Sequence, residues 1–340
     1  MKVLFIGGTG TISAAISRRL LEAGHDLTLL NRGNRNGVLP AGVKELKCDI
    51  TNEDNAAARL KDQSFDVVAD FIAYTPEHLE RDYRLFRGRT GQFIFISTAA
   101  AYQKPLSDHR VSEATPLANP YWQYARDKIA GEDFLREKYR EEAFPITIVR
   151  PSHTYDERAV PLGVHGRNGS WQVLKRIIDG KPVIIHGDGT SLWTMTHASD
   201  FARAFTGLMG NIHAIGEAVQ ITSDESVTWN QVYEVIARAL GKPLRSAHVS
   251  SAFLAQTGAE YDFLGHLIGD KANSVVFDNA KIKRLVPGWN AVIRMDQGIT
   301  NTVENILAHA ELQTVDPEFD AWCDRVISAR DRAIGEARGG

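Results

Sequence analysis

The chain has 340 residues, 43% hydrophobic and 24% charged, the balance of one large α/β unit with a satellite or of two units. A net charge of −3 carries no polybasic signature for nucleic acid, and no apolar run reaches membrane-spanning length. Two cysteines, Cys48 and Cys323, rule out a disulfide framework and point to a reducing compartment, the cytoplasm.

A core strand begins within two residues of Met1, which leaves no room for a signal peptide. Residues 3–6 are an apolar, partly β-branched strand. Gly7-Gly8-Thr9-Gly10 follows, and then Ile12, Ala15, Ile16, Leu20 and Leu21 recur at helical spacing up to a stop at Gly24. Residues 27–30 are a second buried strand. Strand, glycine-rich turn, helix, strand is the unit that cradles a dinucleotide pyrophosphate: glycine lets backbone approach the ligand, and N–H groups at the helix start face the phosphates. Gly7, Gly10 and Ser13 spell G-x-x-G-x-x-S, with Ser13 as the small residue that lets helix and strand pack closely. Cofactor contacts are expected from Gly7, Thr9, Gly10, Thr11 and Ile12. The second strand ends in neutral Asn31, where a carboxylate would hold the ribose hydroxyls of NAD. Arg32, with Arg35, offers a cation for the extra phosphate of NADP. The reading leans to NADP and leaves NAD open.

Residues 43–48 read as a third strand, 55–60 as a short helix and 76–87 as a charged helix. Residues 65–73 are an apolar run broken only by Asp66 and Asp70, and 92–96 are another buried strand, as parallel strands covered on both faces require. This alternation predicts an α/β fold built on a doubly wound parallel sheet. The last strand leads into Ser97-Thr98. Downstream, Tyr124 and Lys128 are four apart and share a helix face. A phenol works as general acid/base when a neighbouring ammonium favours its phenolate, and a hydroxyl at an adjacent strand end can reach the same substrate oxygen. Tyr-x-x-x-Lys alone decorates many helix surfaces. Behind a dinucleotide turn and a strand ending Ser-Thr, it reads as a Thr98/Tyr124/Lys128 triad for hydride chemistry at a carbinol.

On these residues the chain resembles an extended short-chain dehydrogenase/reductase of the NAD-dependent epimerase/dehydratase kind, over residues 1–307. The resemblance implies Thr98, four before Tyr102, as the catalytic hydroxyl, with Ser97 beside the cofactor and Tyr124 and Lys128 as its partners. It places Asp49 and Ile50 near the adenine, Ile72 and Ala73 under the cofactor, and Pro151 and Ser152 near the nicotinamide. His153 stands where the family has a substrate-touching Asn, and Tyr74, Trp193 and Arg167 are further substrate candidates. Ala99 and Ala100 replace the Asp-Glu of sugar dehydratases, which argues against 4,6-dehydration. Trp193 replaces the Arg that holds a nucleotide-sugar phosphate; Lys271, Lys281, Arg158 and Arg167 are the basic side chains available instead. His197 and Asp200 read as a helix cap and a packing contact.

Residues 161–170 are a glycine-rich loop, either a closure over substrate or a linker. Helices are expected at 171–178, 198–209, 228–240 and 295–309, strands at 183–185 and 218–221, helical spacing at 250–258 and 262–268, and a strand–helix pair at 274–285. A nucleotide-binding domain of 1–155 plus 183–222 is expected. A smaller, discontinuous substrate-side domain takes 156–182 plus 223–310, and 311–340 form a helical tail. No metal is expected, since no His-x-x-x-His or Cys-x-x-Cys pair occurs. The expected activity is nicotinamide-dependent hydride transfer at a carbinol of a sugar or nucleotide-sugar, epimerase-like, with a homodimer implied by the resemblance. The alternatives are an NADP-dependent carbonyl reductase of a non-nucleotide substrate, or a non-catalytic relative of the chloroplast stem-loop RNA-binding branch.

Overall fold

The computed structural model describes residues 1–33 and 42–339; Arg35 lies outside them. The sheet strands are β1 (Lys2–Ile6), β2 (Asp26–Asn31), β3 (Lys44–Lys47), β4 (Phe65–Asp70) and β5 (Thr90–Ile96), joined by Ile146–Pro151 and Ala218–Ile221. They form a seven-stranded parallel sheet in the order Ala218–Ile221, Ile146–Pro151, β5, β4, β1, β2, β3. In β1, Val3 and Phe5 point into one core and Leu4 and Ile6 into the other, all four fully buried. That double burial is why the sequence reads as continuous apolar runs. One face is covered by α1 (Thr11–Glu22) and the helix Ala198–Leu208. The other carries α2 (Glu53–Leu60), α3 (Pro76–Phe86) and α4 (Gln123–Glu142). The chain reverses direction about β1, between β2 and β4, so the glycine turn sits at the switch point where such sheets bind ligands.

A second core stands beside the carboxyl ends of the strands. It gathers Trp171–Ile178, Trp229–Ala239, Met295–Ala308 and the C-terminal helix Pro317–Ala337 around Trp193, Trp229 and Trp322. Thr228 and Gln231 cap the second of these helices reciprocally, the Gln231 N–H to Thr228 Oγ1 at 3.2 Å and the Thr228 N–H to Gln231 Oε1 at 2.8 Å. The tail buries Phe319, Trp322, Cys323, Val326 and Ile327 in this core, and Asp320 and Asp324 pair with buried Arg176. Among the described residues no helix is long and apolar enough to cross a membrane.

Three expectations need correction. Val183–His186 pairs with Ser246–Val249 outside the main sheet, and residues 183–197 pack with the second core, so the return to the sheet starts at Ala198. β4 stops at Asp70 because the Asp70 carboxylate turns back to accept the N–H groups of Ile72 (2.5 Å) and Ala73 (2.7 Å). Helical spacing at 262–268 is realised as a π-helix, Leu264–Lys271. Its wider turns bring Gly265 against the Trp122 ring and let the Asn119 side-chain amide donate to Gly269 O at 2.7 Å.

Candidate active site

The turn after β1 has the geometry its glycines allow. Gly7 and Gly8 have φ of +84° and +149°, and a Cβ on Gly8 would lie 2.7 Å from Leu29. Gly10 caps α1, with its N–H donated to Ser13 Oγ at 3.0 Å. The turn opens on a groove of about 550 Å³ whose walls include Gly7, Thr9, Gly10, Asn31, Arg32, Asp49, Ile50 and Ile72. A backbone cradle that a single methyl would fill, at a helix N-terminus, fits the pyrophosphate of a dinucleotide. Asn31 accepts the Gly33 N–H at 2.8 Å, and Arg32 is exposed at the rim. Bonds from Thr51 hold the Asp49 carboxyl below the usual range, with Arg32 adding to the effect. Ile12 packs on the core beneath the sheet, and Thr11 lines a neighbouring recess, 3.3 Å from Arg158.

The triad residues converge from two elements. Thr98 follows β5, and its Oγ1 accepts the Ala100 N–H at 3.1 Å. Tyr124 and Lys128 lie in the first two turns of α4. Lys128 is 3% exposed and donates to Ala73 O and Ile96 O, both at 2.6 Å. Its Nζ is 5.7 Å from the Tyr124 ring centre and 5.0 Å from that of Tyr74. Burial pulls the lysine down to about 8. Burial likewise pushes the Tyr124 phenol up to about 12, against a hydrogen bond with Thr98 that lowers it. Desolvation therefore dominates at the Tyr124 phenol. Ser97 turns the other way: its hydroxyl donates to buried Glu132 at 2.6 Å, so its side chain does not face the groove. Glu132 also takes Arg150 Nε at 2.9 Å and Nη2 at 2.6 Å. Substituting Glu132 with Ala strands a buried guanidinium and is expected to cost about 3–5 kcal/mol in urea unfolding; a cost under about 1 kcal/mol would contradict this assignment.

Beyond the triad lies a cavity of about 450 Å³ walled by Thr98, Tyr124, Pro151, Ser152, His153, Trp193, His266, Asp270 and Lys271, among others. The groove lies next to it: Tyr74 of the groove wall has its ring centre 6.4 Å from that of Tyr124 in the cavity wall. Among the described residues His153 Nδ1, Thr154 Oγ1, Trp193 Nε1, His266 Nδ1 and Asp270 Oδ1 have no hydrogen-bond partner, although all belong to this wall. Buried polar groups normally find partners, so their gathering at one cavity marks a place for a polar ligand. Burial, reinforced by Lys271, holds His153 and His266 well below the ordinary imidazole range, the latter at about 3. Both imidazoles are neutral at physiological pH.

His266, Asp270 and Lys271 reach the cavity because the π-helix sets its last turn there. In an α-helix His266 and Asp270 would still share a face, but Lys271, five residues from His266, would turn away from it; the sequence signals only Lys271, as a substitute cation for a phosphate. Arg167 does not reach the cavity: it is a correction to the substrate set, because its guanidinium binds Glu260 O at 2.9 Å in a separate surface cleft. Lys281 is spent on Glu217, and Arg158 on Asp156 at 2.5 Å. Tyr74 stands on the groove rim rather than inside the substrate cavity. His197 caps its helix through the Ser199 N–H, and Asp200 accepts the Val292 and Ile293 N–H groups, the structural roles expected of them.

The model of the NAD dependent epimerase/dehydratase family matches residues 3–222. The chain is 27% identical over 289 residues to 2'-dehydrokanamycin reductase of Streptomyces kanamyceticus, covering 85% of this chain and 80% of that one. It is 24% identical over 315 residues to the chloroplast stem-loop binding protein of 41 kDa b of Arabidopsis thaliana, covering 88% and 78%. Among solved structures, UDP-glucuronic acid 4-epimerase from Bacillus cereus in complex with NAD superposes with a TM-score of 0.71 at 20% identity, covering 92% and 100%.

Proposed function

The chain belongs to the NAD-dependent epimerase/dehydratase family, and from that premise we propose that it moves hydride at a carbinol carbon of a sugar or nucleotide-sugar, with an epimerase-like outcome. The observation that carries this reading is the place of Tyr124: in the cavity wall with Thr98, its ring centre 5.7 Å from Lys128 Nζ and 6.4 Å from the ring of Tyr74 in the groove wall. A nicotinamide, when bound, supplies the hydride acceptor and donor. Gly7, Gly10 and the first turn of α1 would hold its pyrophosphate, and Pro151 and Ser152 would lie along its reactive end. Tyr124 Oη takes the proton of the substrate hydroxyl as the carbonyl forms and gives it back as the carbonyl is reduced. Thr98 Oγ1 donates to the same oxygen, and the Lys128 ammonium stabilises the phenolate. Ala99 and Ala100, both buried beside Thr98, offer no acid or base for loss of water.

The test is incubation of the cofactor-loaded protein with UDP-hexoses and free hexoses, followed by NMR. Stereochemical inversion without net change in cofactor absorbance is expected. Stoichiometric consumption of reduced cofactor would instead support the reductase reading, which the buried indole of Trp193 in the cavity wall favours, since an indole cannot neutralise a diphosphate. Retention of structured RNA with no hydride transfer would overturn both.

We further propose NADP as the preferred cofactor. Arg32 is exposed on the groove rim where β2 ends, and Asn31 brings no carboxylate to repel a 2′-phosphate. Arg32→Ser is expected to weaken NADPH binding by about 10–100-fold, the worth of a charge-assisted bond, and to leave NADH binding nearly unchanged. Fluorescence titration reads this directly; equal affinities before and after would refute the assignment.

A further inference from the structure

Behind the triad, two carboxylates face each other in a site without water access. Asp70 at the end of β4 and Asp82 in α3 are both fully buried. Their common cation is Arg81. It donates through Nε (2.8 Å) and Nη2 (2.6 Å) to Asp82 Oδ1, and Nη2 stands 3.5 Å from Asp70 Oδ2. Among the described residues Asp82 Oδ2 and Asp70 Oδ2 have no hydrogen-bond donor, and Arg81 Nη2 stands between the two side chains, 2.6 Å from Asp82 Oδ1 and 3.5 Å from Asp70 Oδ2. Two carboxylates around one guanidinium are electroneutral only if one of them keeps a proton, and two buried like charges at contact are costly. Asp70 Oδ1 accepts both the Ile72 and Ala73 N–H groups, whereas Asp82 meets only Arg81, so the proton is assigned to Asp82. Burial and the neighbouring Asp70 charge both push Asp82 up, against Arg81.

The same turn holds the triad lysine. Ala73, whose N–H donates to Asp70, presents its own carbonyl, in the next peptide group, to Lys128 Nζ at 2.6 Å. From α4, Lys128 and Glu132 are the charged groups on this side, and Glu132 is occupied by Arg150. We propose that Asp82 keeps its proton and donates it to Asp70, and that this shared-proton pair is a positioning device for Lys128, acting through the peptide groups of Ile72 and Ala73. The inference rests on the assignment of Lys128 to the triad. Asp82 touches neither groove nor cavity; it acts through Asp70.

Three variants test it in the full-length protein. Asp82→Asn keeps a neutral donor for Asp70 and an acceptor for Arg81, and is expected to hold kcat within about twofold of wild type. Asp82→Ala removes the donor and loosens the turn; kcat is expected to fall by about tenfold or more, with the NADPH dissociation constant unchanged. With 13C-labelled lysine, the Lys128 titration should move up from about 8 in Asp82→Ala and stay in place in Asp82→Asn. If Asp82→Ala does not fold, infrared difference spectroscopy decides: a protonated-carboxyl stretch should be present at neutral pH in wild type and absent in Asp82→Asn. No such band, or an Asp82→Asn variant with a displaced Lys128 titration, overturns the proposal. These spectroscopic readouts do not need turnover. The third variant is Tyr124→Phe. If it stays active while the spectra behave as expected, the triad reading fails and the shared proton stands; the reverse pattern fails the inference alone.

Discussion

Tyr124→Phe is expected to lower turnover by about 10²–10⁴-fold, the worth of positioned acid/base transfer, and to leave cofactor binding within about twofold. The substitution removes one oxygen and keeps the ring. That ring packs 4.9 Å from Trp122 and 6.4 Å from Tyr74, so the start of α4 and the groove rim retain their contacts. None of the glycine-turn residues is touched. Single-turnover hydride transfer and NADPH fluorescence separate the two effects. A variant with undiminished transfer would remove Tyr124 from the chemistry. The pH dependence has a definite sign. Burial holds the phenol at about 12 in the free protein, so at neutral pH Oη carries its proton and is ready to give it. Carbonyl reduction therefore needs no prior ionisation of Tyr124. Carbinol oxidation needs the phenolate, and its rate is expected to rise with pH across the neutral range.

The nucleotide-binding part was legible because each of its signals is local. Residues 3–6 are apolar at every position, since the two cores each take alternate side chains. Gly7 and Gly8 stand where φ is positive, and Tyr124 and Lys128 are one helical turn apart. The substrate side was less legible, and for a specific reason. His266, Asp270 and Lys271 owe their place to a π-helix, and the sequence around 262–268 carries only generic helical spacing. The wider helix packs on Trp122 and bonds Asn119, more than a hundred residues away, contacts that local sequence cannot show. Arg167 failed for the converse reason. A glycine-rich loop reads as a potential closure, but its direction is set by the C-terminal helix: Asp316 accepts the Arg167 N–H at 3.1 Å and Glu260 O takes the guanidinium. The strand at 183–185 is legible but its partner is not, because three apolar residues look alike in a parallel two-stranded ribbon and in the main sheet; its pairing with Ser246–Val249 decides it.

Lys128→Met is expected to lower kcat/KM by about 10²-fold or more, because the phenolate of Tyr124 loses the ammonium stationed behind it. Its effect on stability is expected to be small at pH 7, for offsetting reasons. Burial brings the lysine from an ordinary 10.5 to about 8. Each tenfold loss of proton affinity is worth about 1.4 kcal/mol, so keeping the ammonium in the fold costs about 3 kcal/mol at pH 7. Methionine removes that cost and fills similar volume. It also leaves Ala73 O and Ile96 O without their donor, at about 1–3 kcal/mol each. The two effects cancel to within a few kcal/mol, so a large loss of turnover cannot be ascribed to unfolding. The pH dependence separates them. Between pH 8 and 10.5 the unfolded chain still holds the lysine proton that the folded chain has released, so the wild-type protein gains stability from this group as pH rises through that window. Below pH 8 both states are protonated and the contribution is flat. In Lys128→Met the gain should vanish. Urea unfolding of both proteins from pH 7 to pH 10.5 measures the difference, and parallel curves would show that Lys128 is not held in the dry, carbonyl-bound site on which its proposed role depends.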